Sequence, residues 1–231
     1  MDLPDAAVRH VQVLRMQPGQ SITLFSGDAD QECDATITAM GRNHVSVQIG
    51  TVHPTQREAL LPVNLLVAIP ANDRMDWLVE KACEWGVAAI YPTITERSVV
   101  RLSAERAEKK VAHWQSIAIA ACEQCGGNRV PRIHAVQGYT QRLHDLAQSR
   151  TTPLLLSLLP QSVALGQWAQ HQRAFVSTDI TLISGPEGGL SPAEEDKALQ
   201  QGCTAVSLGR RVLRAETAAL SALAILLHAA S

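Results

Sequence analysis

The sequence predicts an α/β protein: a mostly parallel sheet covered by helices on both faces, preceded by a small β-barrel domain. Three observations predict it. From Leu61 onward, short apolar runs alternate with segments of helical period. Between residues 8 and 60, short β-rich runs are separated by turn residues instead. Near the end of the chain, two glycine-bearing loops each leave the carboxyl end of a strand, where open α/β sheets bind ligands.

Residues 1–60 are expected to form the barrel. Val11–Leu14, Ser21–Phe25, Cys33–Ala39 and Val45–Ile49 read as strands, with turns at Pro18-Gly19, Gly27-Asp28 and Gly41-Arg42-Asn43. Thr51–Leu60 is polar and reads as a linker. Residues 61–231 form the second expected domain. A strand at Leu65–Ile69 precedes a helix at Asp73–Trp85, with Met75, Leu78, Val79 and Ala82 on one face and Gly86 as its stop. A strand at Ala88–Thr95 and a long helix at Ser103–Cys122 follow. Further strands are expected at Arg132–Val136 and Leu154–Leu158, and helices at Thr140–Gln148 and Val163–His171. Such alternation gives a parallel sheet with both faces covered.

The stretch from Asp179 on carries the strongest local signals. An apolar strand, Ile180–Ser184, breaks into Gly185-Pro186-Glu187-Gly188-Gly189. Ser191 can cap the next helix, Pro192 suits its first position, Glu194 completes a capping box, and Gly202 supplies the stop. A strand at Thr204–Leu208 leads into Gly209-Arg210-Arg211-Val212-Leu213-Arg214-Ala215-Glu216-Thr217, and then into an apolar helix, Ala218–Ala230. No Lys-Ser/Thr follows a glycine run and no GxGxxG occurs, so this is not a phosphate loop. The glycines alone favour a plain strand-to-helix turn. The pairing of two such loops, with Arg211, Arg214 and Glu216 in the second, favours a ligand site. The final helix is apolar all round, which fits core burial and a dimer interface alike.

Composition excludes several classes. Apolar residues make up 46% of the chain, enough for a proper core, and aromatics only 3%, so Leu, Val, Ile and Ala must fill it. The formal charge is −2, which argues against a general nucleic-acid coat and requires any phosphate affinity to be local. Cys33, Cys83, Cys122, Cys125 and Cys203 are odd in number and irregular in spacing. The start Met1-Asp2-Leu3-Pro4 has no signal-peptide pattern, so reduced thiols in the cytoplasm are expected. Cys122 and Cys125 form a single C-x-x-C without a second pair, and no metal is expected. No apolar run approaches the ~20 residues of a membrane span.

Several of these segments carry a resemblance. Ile183-Ser-Gly-Pro-Glu-Gly-Gly-Leu-Ser191 and Leu208-Gly-Arg-Arg-Val-Leu-Arg-Ala-Glu-Thr217 resemble the paired signature of the ribosomal RNA small subunit methyltransferase E family, of the SPOUT class. The helix Asp73–Val87 and the segment Ile117-Ala-Ile-Ala-Ala-Cys-Glu-Gln-Cys-Gly-Gly-Asn-Arg-Val-Pro131 resemble further family segments, and Arg9–Gly27 its PUA-like N-terminal domain. The resemblance implies a trefoil-knotted sheet, S-adenosylmethionine as cofactor and methylation of uridine N3 in 16S ribosomal RNA. It also implies a cytoplasmic homodimer.

The resemblance places the cofactor against Leu156, Ser157 and Leu158, against Gly185, Pro186, Glu187, Gly188 and Gly189, and against Leu208, Gly209, Val212, Leu213 and Thr217. Uridine N3 carries a proton, so the enzyme must help remove it or stabilise the anion left on O2 and O4. Arg211 and Arg214 suit the second task. Glu187 and Glu216 are candidate bases, with bracing of their loops the favoured role for both. RNA contacts are expected from Arg97, Arg101, Asn128, Arg129 and Arg132. Arg9 and Arg15 fit phosphate contacts and a solvated face equally. Two rivals stand beside this function: another SPOUT reaction, such as ribose or guanine methylation of transfer RNA, and a non-catalytic ribosome-assembly factor.

Overall fold

A computed structural model describes residues 1–71, 73–172 and 179–230. The chain divides into two units, Met1–Glu58 and Ala59–Ser231. In the first, α1 (Asp5–Val13) precedes β1 (Ser21–Leu24), β2 (Gln31–Met40) and β3 (Val45–Pro54), which form an antiparallel sheet in that order. The strand expected at Val11–Leu14 is instead the end of α1. Its β-branched composition reads as strand, but Val8 and Val11 are three apart and both are buried, which is helical spacing. Met1–Leu3 takes the vacant place beside β3. The Met1 ammonium donates to the Val47 carbonyl at 2.7 Å, and the Leu3 amide donates to the Val45 carbonyl at 2.9 Å. Leu3, Val8 and Val11 close over Ala35, Ile37, Val45 and Val47 to make this unit's core.

β3 also corrects the expected linker, because Thr51–Pro54 is strand and Pro54 stands opposite Gln31. The polar composition reflects exposure, not absence of structure: every residue of β3 from Gln48 onward is exposed.

The second unit runs β4 (Val63–Ala68), α2 (Arg74–Glu84), β5 (Ala89–Ile94), α3 (Ala104–Cys125), β6 (Arg132–Ile133) and β7 (Gln137–Gly138). It continues with α4 (Tyr139–Ala147), β8 (Thr151–Leu156), β9 (Val163–Ala164), α5 (Leu165–Gln172), β10 (Asp179–Ser184), α6 (Pro192–Gln200), β11 (Thr204–Ser207) and α7 (Ala215–Ala230). All strand pairs are parallel, in the order β6-β5-β4-β10-β8-β11-β9, with β7 also on β5. Central strands covered on both faces need unbroken apolar runs. Leu65 and Leu66 of β4, Leu154 and Leu155 of β8, and Leu182 and Ile183 of β10 supply them, all at 2% exposure or less.

On one face, Leu66, Leu155 and Ile183 meet Tyr139 and Leu143 of α4 and Ala198 of α6. α7 packs on β4 and β10 and against α2 and α5, so much of its apolar surface lies in the core.

Several boundaries differ from expectation, among them β8, which begins at Thr151, and α3, which runs on to Cys125. The strand expected at Arg132–Val136 is only the two-residue β6, and the next piece, β7, begins after it. Between them His134 stacks on Tyr91, with ring centroids 4.0 Å apart, and the Ala135 carbonyl accepts from Arg142. Val163–Ala164 pairs with β11 before α5 begins. α7 starts at Ala215, three residues before the expected Ala218, whose amide donates to the Arg214 carbonyl at 2.8 Å.

Candidate active site

β10, β8 and β11 are neighbours and parallel, so their carboxyl ends open on one edge of the sheet. The loops leaving those ends enclose a cavity of about 530 Å³. One wall is Leu156–Pro160 after β8, the second Ser184–Leu190 after β10, the third Leu208, Gly209 and Arg211–Leu213 after β11. Ala215 and Ala218 of α7 close the floor. Twelve of the thirteen residues expected at the cofactor therefore line one space, Thr217 being the exception.

The second wall is built with little slack. The Gly189 amide donates to the Pro186 carbonyl at 2.9 Å, closing a tight turn. Gly189 has φ +67, a left-handed value that favours glycine. A Cβ on Gly185 would lie 2.9 Å from the Leu190 nitrogen, so only glycine fits there. A Cβ on Gly188 would meet Arg97 at 3.7 Å, ordinary contact, so close approach explains Gly185 and not Gly188. Arg97, expected at the RNA, lines the cavity and donates to the Gly188 and Leu190 carbonyls at 2.9 and 3.2 Å. The wall ends in the expected capping box: Ser191 accepts from the Glu194 amide at 3.3 Å, and the Glu194 carboxylate accepts from the Ser191 amide at 2.9 Å. The same carboxylate accepts from the Glu96 amide at 2.8 Å, tying the loop after β5 to this helix start.

Both candidate bases are engaged. Glu187 Oε1 accepts from the Ala71 amide at 2.9 Å and from Arg74 Nη1 at 3.2 Å. Glu216 is buried in the first turn of α7, with Oε1 3.8 Å from Arg74 Nε. It does not line the cavity, whereas Arg211 does and Arg214 directly precedes the lining Ala215. Arg210, Arg211 and Arg214 are exposed, and none of their side chains has an ion-pair or hydrogen-bond partner among the described residues.

Of the residues expected at RNA, Arg9, Arg15, Arg101, Arg129 and Arg132 are exposed. Asn128 is not: it is buried at 1% exposure just after α3, where Gly126 caps the helix in the left-handed region. That position withdraws it from a base-reading surface. Two residues of the site escaped sequence reasoning. Glu195 lines the cavity and accepts from Ser157 Oγ at 2.9 Å, while Ser157 Oγ accepts from the Leu159 amide at 3.1 Å. The capping box at Glu194 could have pointed to its neighbour. Arg74 gave no local signal, since its partners lie more than a hundred residues away.

Known proteins place this geometry. Residues 57–227 match the model of an RNA methyltransferase domain, and residues 3–50 that of an RNA methyltransferase PUA domain. The ribosomal RNA small subunit methyltransferase E of Bacillus subtilis is 32% identical over 224 residues, spanning 92% of this chain and 83% of that protein. The chain belongs to the ribosomal RNA small subunit methyltransferase E family. A family member from Neisseria gonorrhoeae, solved bound to S-adenosylmethionine, is 41% identical with a TM-score of 0.88, covering 97% of this chain and 89% of that one. A methyltransferase from Legionella pneumophila, also solved with S-adenosylmethionine, is 37% identical with a TM-score of 0.89, covering 99% and 91%. Membership of the family makes this chain an enzyme with the SPOUT-class fold.

Proposed function

We propose that this protein transfers a methyl group from S-adenosylmethionine to N3 of a uridine in the 16S RNA of the small ribosomal subunit. The observation that carries the proposal is the single cavity walled by three adjacent strand-end loops, with unpaired Arg211 on one wall and Arg214 beside it. The family name of the relatives and the cofactor in two structural neighbours support it.

The cavity fits the cofactor. Its volume lies within the roughly 300–1,000 Å³ usual for small-molecule sites. The glycine-bearing wall brings bare backbone to the space, and adding a Cβ at Gly185 would displace that backbone. Leu156, Leu158, Leu208, Val212 and Leu213 offer apolar contact for the adenine, and loop amides and carbonyls its hydrogen bonds. Glu195 offers a carboxylate for a cationic or hydroxyl group. When bound, S-adenosylmethionine supplies an electrophilic methyl on a sulfonium.

The rest is done by this chain's side chains acting on the uridine. N3 holds a proton at neutral pH, and its departure leaves negative charge on O2 and O4. Arg211 and Arg214 donate to those oxygens in pairs, staying charged at all working pH values. Preorganised donors of this kind lower the barrier most where charge develops. Glu187 and Glu216 are both engaged by Arg74, which suits them to bracing their loops. Arg97, Arg101, Arg129 and Arg132 hold the RNA backbone on the second unit, and Arg9 and Arg15 on the first. What supports a homodimer is the family resemblance. No helix among the described residues is long and apolar enough to cross a membrane. The cytoplasm, where ribosomal RNA is found, is the proposed location.

The test is mass spectrometry of 16S ribosomal RNA from cells with and without this protein. The expected result is loss of one 3-methyluridine from cells without it. An unchanged modification profile refutes the function, and loss of a different methylated nucleoside refutes the uridine assignment. Sedimentation of the purified protein at twice the monomer mass checks the dimer.

A further inference from the structure

Arg74, at the start of α2, stands where three segments of the second unit meet. Resting on the function proposed above, we infer that Arg74 is a positioning residue for the cofactor cavity, clamping the loop after β10 to the first turn of α7. Its Nη1 donates to Glu187 Oε1 at 3.2 Å, and its Nε lies 3.8 Å from Glu216 Oε1. Glu187 belongs to the cavity wall, and Glu216 sits between the lining Ala215 and Ala218. Arg74 lines no part of the cavity and acts through these two carboxylates.

Charge makes the clamp more than a convenience. Glu216 is 7% exposed, and its Oε2 has no hydrogen-bond partner among the described residues. A carboxylate so placed is costly to keep charged without a nearby cation. Arg74 supplies that cation, helped by the positive end of α7, in whose first turn Glu216 lies. Glu187 and Glu216 share one guanidinium, so their mutual repulsion is offset only while it is present. Without Arg74, Glu187 retains the Ala71 amide alone and Glu216 is left buried without a cation. The loop and the start of α7 are then no longer held together, and each carries cavity wall.

A calorimetric titration of the full-length protein with S-adenosylmethionine, repeated for Arg74→Met, Arg74→Lys and Glu187→Gln, tests this. Arg74→Met is expected to weaken binding roughly tenfold or more, the scale of coupling between residues in contact. Arg74→Lys keeps the charge and should recover most of the affinity. In kinetics, the Met variant should raise KM for the cofactor more than it lowers kcat. Adding Glu187→Gln to Arg74→Met should cost little further, because both act through one contact. Wild-type affinity in a folded Arg74→Met protein, even with a lowered melting temperature, overturns the clamp. If circular dichroism shows that variant unfolded, Glu187→Gln decides: unchanged affinity there overturns the clamp equally. Failure of the wild-type protein to bind the cofactor would instead overturn the proposed function, and the clamp with it.

Discussion

The two glycine-bearing loops hold equivalent places, each leaving the carboxyl end of a parallel strand, and are built in opposite ways. The loop after β10 is satisfied by its own protein: Gly185 leaves no room for a side chain, Arg97 holds two of its carbonyls, and Ala71 and Arg74 hold Glu187. The loop after β11 is the reverse. From Gly209 to Arg214 every residue is exposed, and the side chains of its three arginines have no partner among the described residues. One loop has its shape fixed before any ligand arrives, which limits the ordering cost of binding. The other keeps its charges free for a partner that brings the opposite charge. In the proposed function, the first loop shapes the cofactor site and the second meets the RNA.

The largest expected effect lies in the open loop. Arg214→Lys keeps the charge but loses the planar two-donor fork. Single-turnover methylation of small subunits lacking the modification should fall by about 10²–10³, the usual cost of removing one preorganised donor. Cofactor affinity should stay close to wild type. A near-wild-type rate would shift the role to Arg211, and a loss of cofactor affinity would erase the division of labour between the loops.

In the closed loop, contrast between neighbours is the sharper probe. Gly185→Ala puts a Cβ 2.9 Å from backbone, so the loop must shift. A cost of about 1–3 kcal/mol is typical of overpacking, read as weaker cofactor binding together with a lower denaturation midpoint. Gly188→Ala meets only the Arg97 side chain at 3.7 Å and has no positive φ, so it should change either quantity little. Equal effects at the two positions would mean that the wall is not held as described.

The smallest effect serves as a control at a residue that does not line the cavity. Burial, with Arg132 and Arg142 nearby, lowers the His134 pKa to about 4. His134 is then neutral in the folded protein while the unfolded chain binds a proton below about 6.5. Stability from this source is present above pH 6.5 and is lost as pH falls toward 4. His134 is partly exposed, so solvent screening trims the effect to on the order of 1 kcal/mol, or about 2–4 °C in Tm. His134→Phe keeps a ring on Tyr91 and should flatten the Tm profile across that window, leaving cofactor affinity untouched. An unchanged profile would show that the imidazole does not carry this dependence.

Legibility in the sequence followed the range of the interactions. The capping box at Ser191 and Glu194 and the all-apolar central strands depend on neighbours a few residues apart or on burial of a whole run, and both are visible in composition and spacing. That Gly185–Gly189 and Leu208–Leu213 each leave a strand end was legible in the pattern, and their meeting in one cavity was implied by the family resemblance. Long-range partners were not. Nothing local marks Arg74 as the partner of Glu187, or Met1–Leu3 as the neighbour of β3. Val11–Leu14 failed for another reason: its β-branched residues are weak indicators, overridden by the buried face that Val8 and Val11 share. Asn128 was misjudged because polar type does not reveal burial.

The strand order bears on how the protein is made. β8 lies between β10 and β11, and both are translated after it. A nascent chain that has released β8 therefore carries an apolar strand with neither neighbour available. At ~5–20 residues per second, that interval lasts on the order of seconds on the ribosome. Leu154 and Leu155, wholly buried at the end, are open to misassociation throughout it. Slowed elongation before residue 179, or engagement by a chaperone, should matter more for the yield of this protein than for one whose strands pair in the order of synthesis.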